Sequence, residues 1–228
     1  MGTSRIEYVL KRSVRKSAGI YIIDGIVEVR VPLYYSESNI DEFIRSREKW
    51  ISDHLAGSKE QAAKRADFSV TYGSRITYRG NLYTVAAEQD GKTGFTDAFC
   101  YVPPNLTPEQ IKQACISCYR QCAETVFIDR IAEYAWQMFA FPHNVRINNA
   151  KARWGSCSSK RIVNIAWRLI MADDAAIDYL IVHELAHIKV YNHSAGFWAL
   201  VESYIPDYKE CRKRLKALEC KLGSENWD

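Results

Sequence analysis

No apolar run in this 228-residue sequence is long enough to cross a membrane, which excludes a helical membrane protein. The first residues, Met1-Gly2-Thr3-Ser4-Arg5-Ile6-Glu7, hold no apolar leader, and Ile6 departs from the myristoylation pattern. Internal repeats and low-complexity segments are absent as well. Seven cysteines is an odd number, so they cannot all pair within the chain, and their spacing matches no secreted disulfide framework. These absences predict a cytoplasmic protein in a reducing compartment, with no membrane partner. The net charge of +4 is too mild to demand a nucleic acid, although it tolerates an anionic partner. Histidine is scarce too. There are five, and three of them fall between positions 183 and 193.

What is present is ordinary for a soluble globular protein: 47% hydrophobic and 25% charged residues, enough to build a real core. Residues 5–35 read as strands. Ile20-Tyr21-Ile22-Ile23 runs into Asp24-Gly25, a hairpin signal, and residues 26–31 alternate in the returning strand. The basic run Lys11-Arg12-Ser13-Val14-Arg15-Lys16 reads as a solvated turn or as an anion-binding surface. A helix is predicted from Ser38 to His54, with Ile40, Phe43, Ile44, Trp50 and Ile51 on one stripe, and residues 57–67 read as a linker or fraying end. Strands at 68–72, 75–78 and 82–85 have the spacing of a meander, and 88–100 is loop with room for one more strand.

Thr107-Pro108-Glu109-Gln110 is a helix start, with Thr as cap, Pro at the first position and Gln at the third. That helix should reach about Phe139, with a stripe through Ile111, Cys115, Cys118, Cys122, Ile128, Ile131 and Met138. The cysteine spacing could suggest a metal site. It follows the core stripe, however, and free cysteine packs as a small hydrophobe. Further strands are expected at 144–147, 152–157 and 162–167. Three more helices follow, opened by Asp173-Asp174, by Ser194 and by Asp207. The expected fold class is α+β. Residues 1–104 read as an N-terminal β-rich region with one helix. Residues 105–228 read as a catalytic domain whose central helix packs on a small antiparallel or mixed sheet.

That central helix carries His183-Glu184-Leu185-Ala186-His187. Residues four apart share a helix face, so His183 and His187 can grip one metal ion, with Glu184 beside them to reach a water. The pattern arises by chance in roughly one chain in a hundred of this length. His193, at a spacing that works if the helix ends first, makes chance a poor account. Three protein ligands and one open position are the catalytic form of a zinc site. Zn2+ is therefore the expected cofactor, held by His183, His187 and His193, with Glu184 as general base. Glu202 or Glu210 is an alternative ligand from a later helix. The metzincin pattern fails here, because Val190 stands where its Gly belongs and no Met follows His193.

Arg153 is a candidate to stabilise a developing oxyanion, or else ties strand to helix in a salt bridge. Asn164 and Tyr204 are weaker candidates. An exposed edge on the 162–167 strand could hold an extended peptide as one more strand. The reading that fits best is a zinc-dependent hydrolase of peptide bonds acting on a peptide or protein. A second is a metal-dependent pyrophosphatase acting on an anionic nucleotide, for which the basic runs at 11–16 and 212–216 would suit phosphate. A third is a non-catalytic module that binds a partner or DNA. The intact Glu184 argues against it, since a scaffold needs no general base.

Arg153-Trp154-Gly155-Ser156-Cys157, Asn164, Ile177-Asp178-Tyr179 leading into the histidine motif, Asn192-His193-Ser194 and Phe197-Trp198 together resemble the YgjP-like metallopeptidases, relatives of the SprT and WLM proteins. Lys11-Arg12-Ser13 and Trp50-Ile51 also look like that family's N-terminal region. The resemblance implies a zincin-type fold, zinc on His183, His187 and His193, and Glu184 as general base. Arg161 departs from it, standing where relatives usually have Gly in the turn after Ser158-Ser159-Lys160.

Overall fold

The computed structural model describes residues 6–88, 93–96 and 98–228. Its chain divides into two compact units, one formed up to Phe68 with residues 222–226 and 228, the other by residues 69–221 with 227. The fold is α+β, as the sequence predicts. No helix among the described residues is long and apolar enough to cross a membrane.

In the first unit, β1 (Tyr8–Ser13), β2 (Gly19–Ile23) and β3 (Ile26–Pro32) form a sheet in the order β1-β3-β2. Strand β3 runs antiparallel to β2 and parallel to β1. The hairpin forms where Asp24-Gly25 predicts it. Both residues have positive φ, 49° and 78°, the mirror-image turn that matches strand twist. Val27, Val29 and Val31 alternate into a core with Ile40, Ile44 and Ile51.

The helix predicted over 38–54 is two helices, α1 (Glu37–Ser46) and α2 (Glu48–Asp67), which part at Arg47. Ser36 caps α1 by accepting from the Asn39 N–H at 3.3 Å. Residues 57–67 are helix rather than linker. Their Ala, Lys, Glu and Gln content favours helix, Lys64 pairs with Glu60 one turn away, and this turn backs the hairpin. The Gly25 N–H donates to Ser58 Oγ at 3.0 Å, and a Cβ on Gly25 would stand 2.7 Å from Lys59 Cγ. The basic run is engaged within its own unit. Lys11 pairs with Glu28, Arg12 donates to the Leu33 and Tyr35 carbonyls, and Arg15 reaches the Tyr21 hydroxyl.

The second unit opens with β4 (Arg75–Tyr78), β5 (Asn81–Ala87), β6 (Gly94–Thr96) and β7 (Phe99–Val102), in the order β4-β5-β7-β6. The strand expected at 68–72 is absent. Thr71 and Ser74 close a turn there instead, around Gly73 at φ 86°. Thr107 and Gln110 make the full capping box that starts α3 (Pro108–Met138), close to the predicted span. Its inward stripe runs through Phe127, which is buried, whereas the predicted Ile128 is exposed.

Strands β8 (Asn144–Asn148), β9 (Gly155–Cys157) and β10 (Ile162–Ala166) form the third sheet in the order β8-β10-β9. Strand β10 pairs parallel with β8 and antiparallel with β9, so it has no free edge. The edge expected at 162–167 is therefore not there; the edges of this sheet are β8 and β9. A 3-10 helix over Trp167–Met171 leads to α4 (Asp174–Ala186), followed by α5 (Ala195–Tyr204) and α6 (Tyr208–Leu222).

The start of α4 is held from three sides. Asp173 caps it, accepting from the Ala176 N–H at 3.1 Å. The β4–β5 turn, Arg79-Gly80, docks on the preceding residues, with N–H groups donating to the Ile170 and Met171 carbonyls. Arg79 grips Asp174 with two hydrogen bonds of 2.7 Å, and Arg214 of α6 donates to Asp173 at 3.1 Å. Gly80, at φ 75°, is required here, because a Cβ would stand 2.8 Å from that of Asp173.

Candidate metal centre

Helix α4 buries Ile177, Leu180, Ile181, Val182, Leu185 and Ala186, so apolar contacts fix it almost all round. His183 and His187 lie one turn apart at its C-terminal end, and His187 is the cap residue. The helix stops there, and the short loop that follows returns His193 to the same point, just before Ser194 opens α5. One ring nitrogen from each of the three histidines lies within 4.8 Å of the others.

The spacing fits one shared metal ion. His183 Nε2 and His193 Nε2 face each other at 3.2 Å. Two nitrogens bound to one tetrahedral ion at about 2.0–2.1 Å would stand about 3.4 Å apart. The other ring nitrogens of the helix pair are engaged, which leaves Nε2 toward the common point. His187 Nδ1 lies 3.2 Å from the Val190 carbonyl and His183 Nδ1 3.5 Å from the Tyr179 hydroxyl. Burial, and then the charges of His187, His193 and Arg212, push the His183 pKa down to about 3. Burial also lowers that of His187. Neutral imidazoles keep the lone pairs that a cation needs, so this donor set fits a divalent metal.

Aromatic rings wall the cluster. Phe197 is fully buried and lies 4.6–4.9 Å from all three imidazoles, and Trp198 stacks on His193 at 5.6 Å. Tyr208 stacks in turn on Trp198 at 5.2 Å. The sequence shows Phe197-Trp198 beside the motif. The supporting roles of Tyr179 and the Val190 carbonyl carry no such signal, although Tyr179 sits one helical turn before His183.

Glu184 is 4% exposed, and burial raises its pKa to about 7, partly opposed by the charge of Arg153. Gly155 on β9 packs directly on it. A Cβ there would fall 2.6 Å from Glu184 Oε1 and 2.8 Å from Cγ, closer than atoms can pack. Arg153, two residues earlier, is exposed, and its charge reaches Glu184.

The remaining candidates lie elsewhere. Asn164 donates to Ser156 Oγ across the sheet, and Tyr204 donates to the Gln137 carbonyl. Glu210 pairs with Lys213, Glu202 is exposed, and neither joins the histidine cluster.

Residues 16–218 match the family described as YgjP-like, metallopeptidase domain. No curated protein matches the chain. Two solved structures are similar to part of it. One is the metallopeptidase zymogen abylysin of Pyrococcus abyssi, 24% identical over 44% of this chain and 97% of that one, with a TM-score of 0.38. The other is the metallopeptidase zymogen jannalysin of Methanocaldococcus jannaschii, 24% identical over 42% and 96%, with a TM-score of 0.37.

Proposed function

Because the chain belongs to the YgjP-like metallopeptidase family, we propose that it is a zinc-dependent peptidase with Glu184 as its general base. The observation that carries the reading is the convergence of His183, His187 and His193 beside a buried Glu184. These three imidazoles would hold the zinc. When bound, zinc supplies a Lewis acid and brings the pKa of a water to about 7.

Glu184 takes a proton from the attacking water at its carboxylate and returns it to the leaving amine. A carboxyl with a pKa near neutrality serves both directions. Arg153 stands exposed two residues before the glycine that packs on Glu184, which suits a role in stabilising the oxyanion. Strand β9 is the sheet edge beside Glu184, so an extended peptide pairing with it would bring its backbone to the centre. Phe197 and Trp198 hold the imidazoles in place and exclude water from one side.

Zinc content tests this directly. Protein purified without chelator or affinity tag should carry close to one zinc per chain, and His193→Ala much less. Native protein without zinc would remove the basis of the hydrolase reading.

A further inference from the structure

Helix α6 carries three consecutive cations, Arg212-Lys213-Arg214. Lys213 pairs with Glu210 at 2.9 Å, and Arg214 with Asp173 at 3.1 Å. Among the described residues, Arg212 has no carboxylate partner. Its guanidinium lies over the Trp198 ring instead, 5.0 Å from the centroid. Trp198 stacks on His193 at 5.6 Å and tilts against His183 at 5.7 Å. An exposed positive charge is thus held one aromatic ring away from the histidine cluster. A stacked guanidinium keeps its N–H edge free for a planar, two-point acceptor while its face rests on the ring.

We infer that Arg212 is a specificity-determining residue that selects peptides bearing a carboxylate side chain next to the bond that is cut. This deepens the peptidase reading above and rests on it. The ligand's chemistry follows from the charge count. Of the three consecutive cations, Arg212 alone has no carboxylate partner among the described residues, which suits a single carboxylate. A polyphosphate calls for several converging cations, and the neighbouring two are already paired.

The test uses alanine-based octapeptides that differ only in Glu, Gln or Lys at one central position. Binding is measured on the zinc-loaded full chain carrying Glu184→Gln, and cleavage on the chain with native Glu184. The Glu peptide should bind about tenfold more tightly than the Gln peptide, the scale of a charge-assisted hydrogen bond. Arg212→Lys should keep part of that ratio, Arg212→Gln should bring it near one, and Arg212→Glu should turn the preference toward Lys.

Equal binding of the three peptides would overturn the inference. So would a loss of binding to all three alike in Arg212→Gln, which would make the residue a prop for Trp198. Arg212-dependent binding of inorganic tripolyphosphate, tighter than that of the Glu peptide, would also overturn it. An Arg212-dependent preference for Glu without cleavage of any peptide would sink the peptidase reading and leave the carboxylate site standing.

Discussion

Two groups of metal-capable side chains lie in the second unit, and their spacings along helices are nearly the same. Cys115, Cys118 and Cys122 stand three and four residues apart on α3, and His183 and His187 stand four apart on α4. In the cysteine group the contacts run in sequence. Cys100 of β7 meets Cys115 and Cys118, and Cys118 meets Cys122, so each thiol touches neighbours without a common centre. Cys100, Cys115 and Cys118 are buried among apolar residues.

The histidines behave differently because α4 ends. The loop after His187 returns a third imidazole from outside the helix, and one nitrogen of each ring lies within 4.8 Å of the others. Helical spacing alone gives a stripe. A centre forms where the chain turns back on the stripe. The pairwise contacts still set the thiols against one another: hydrogen bonds with neighbouring thiols, and then burial, raise the pKa of Cys100 and Cys122, while hydrogen bonds from Cys100 and Cys122 lower that of Cys118.

The comparison breaks most visibly at Glu184. On the proposed reading, Glu184→Gln should keep the metal and lower kcat by about 10²- to 10⁴-fold, the usual share of a general base. Gly155→Ala should act through the same carboxylate, since the new methyl would displace Glu184. A large loss of kcat with zinc retained is expected, measured by metal analysis beside steady-state kinetics. If Gly155→Ala were fully active, Glu184 would have to move freely, and its buried position would not matter. The cysteine side sharpens the contrast with a smaller effect. Cys118→Ser should leave zinc content unchanged and cost about 1–3 kcal/mol in denaturant unfolding, because a hydroxyl is buried in place of a thiol. Loss of zinc in that variant would show that the two clusters are not separate.

Local patterns made much of this molecule legible in advance. The capping box at Thr107, the hairpin at Asp24-Gly25 and the i,i+4 pair on α4 depend on neighbours in sequence. Arg161, expected at a glycine position, does have a positive φ of 56°. What escaped depends on distant partners. Strand β10 reads as an edge until its order between β8 and β9 is known. Residues 57–67 read as a linker or fraying helix end because their role is to back Gly25, over thirty positions earlier. Gly155 reads as one more residue of the strand expected at 152–157, and only its packing on Glu184 shows why a side chain cannot stand there.

The grip on the start of α4 gives the helix a gradient of local stability. At one end stand the Asp173 cap, the Arg79 pair with Asp174, and Arg214. At the other end the helix runs into a loop whose Tyr191, Asn192 and His193 are exposed. Removing the metal therefore should not melt the helix from both ends. Opening should begin at residues 188–194 and run backward, while Ile177 to Ile181 stay packed. Amide hydrogen exchange with and without chelator should show protection lost in the loop and kept in the first two turns of α4. Uniform loss along the helix would mean that the metal, rather than the anchored end, holds it. On this account the histidine end of α4 would be assembled and disassembled as a local event, on a frame that does not depend on it.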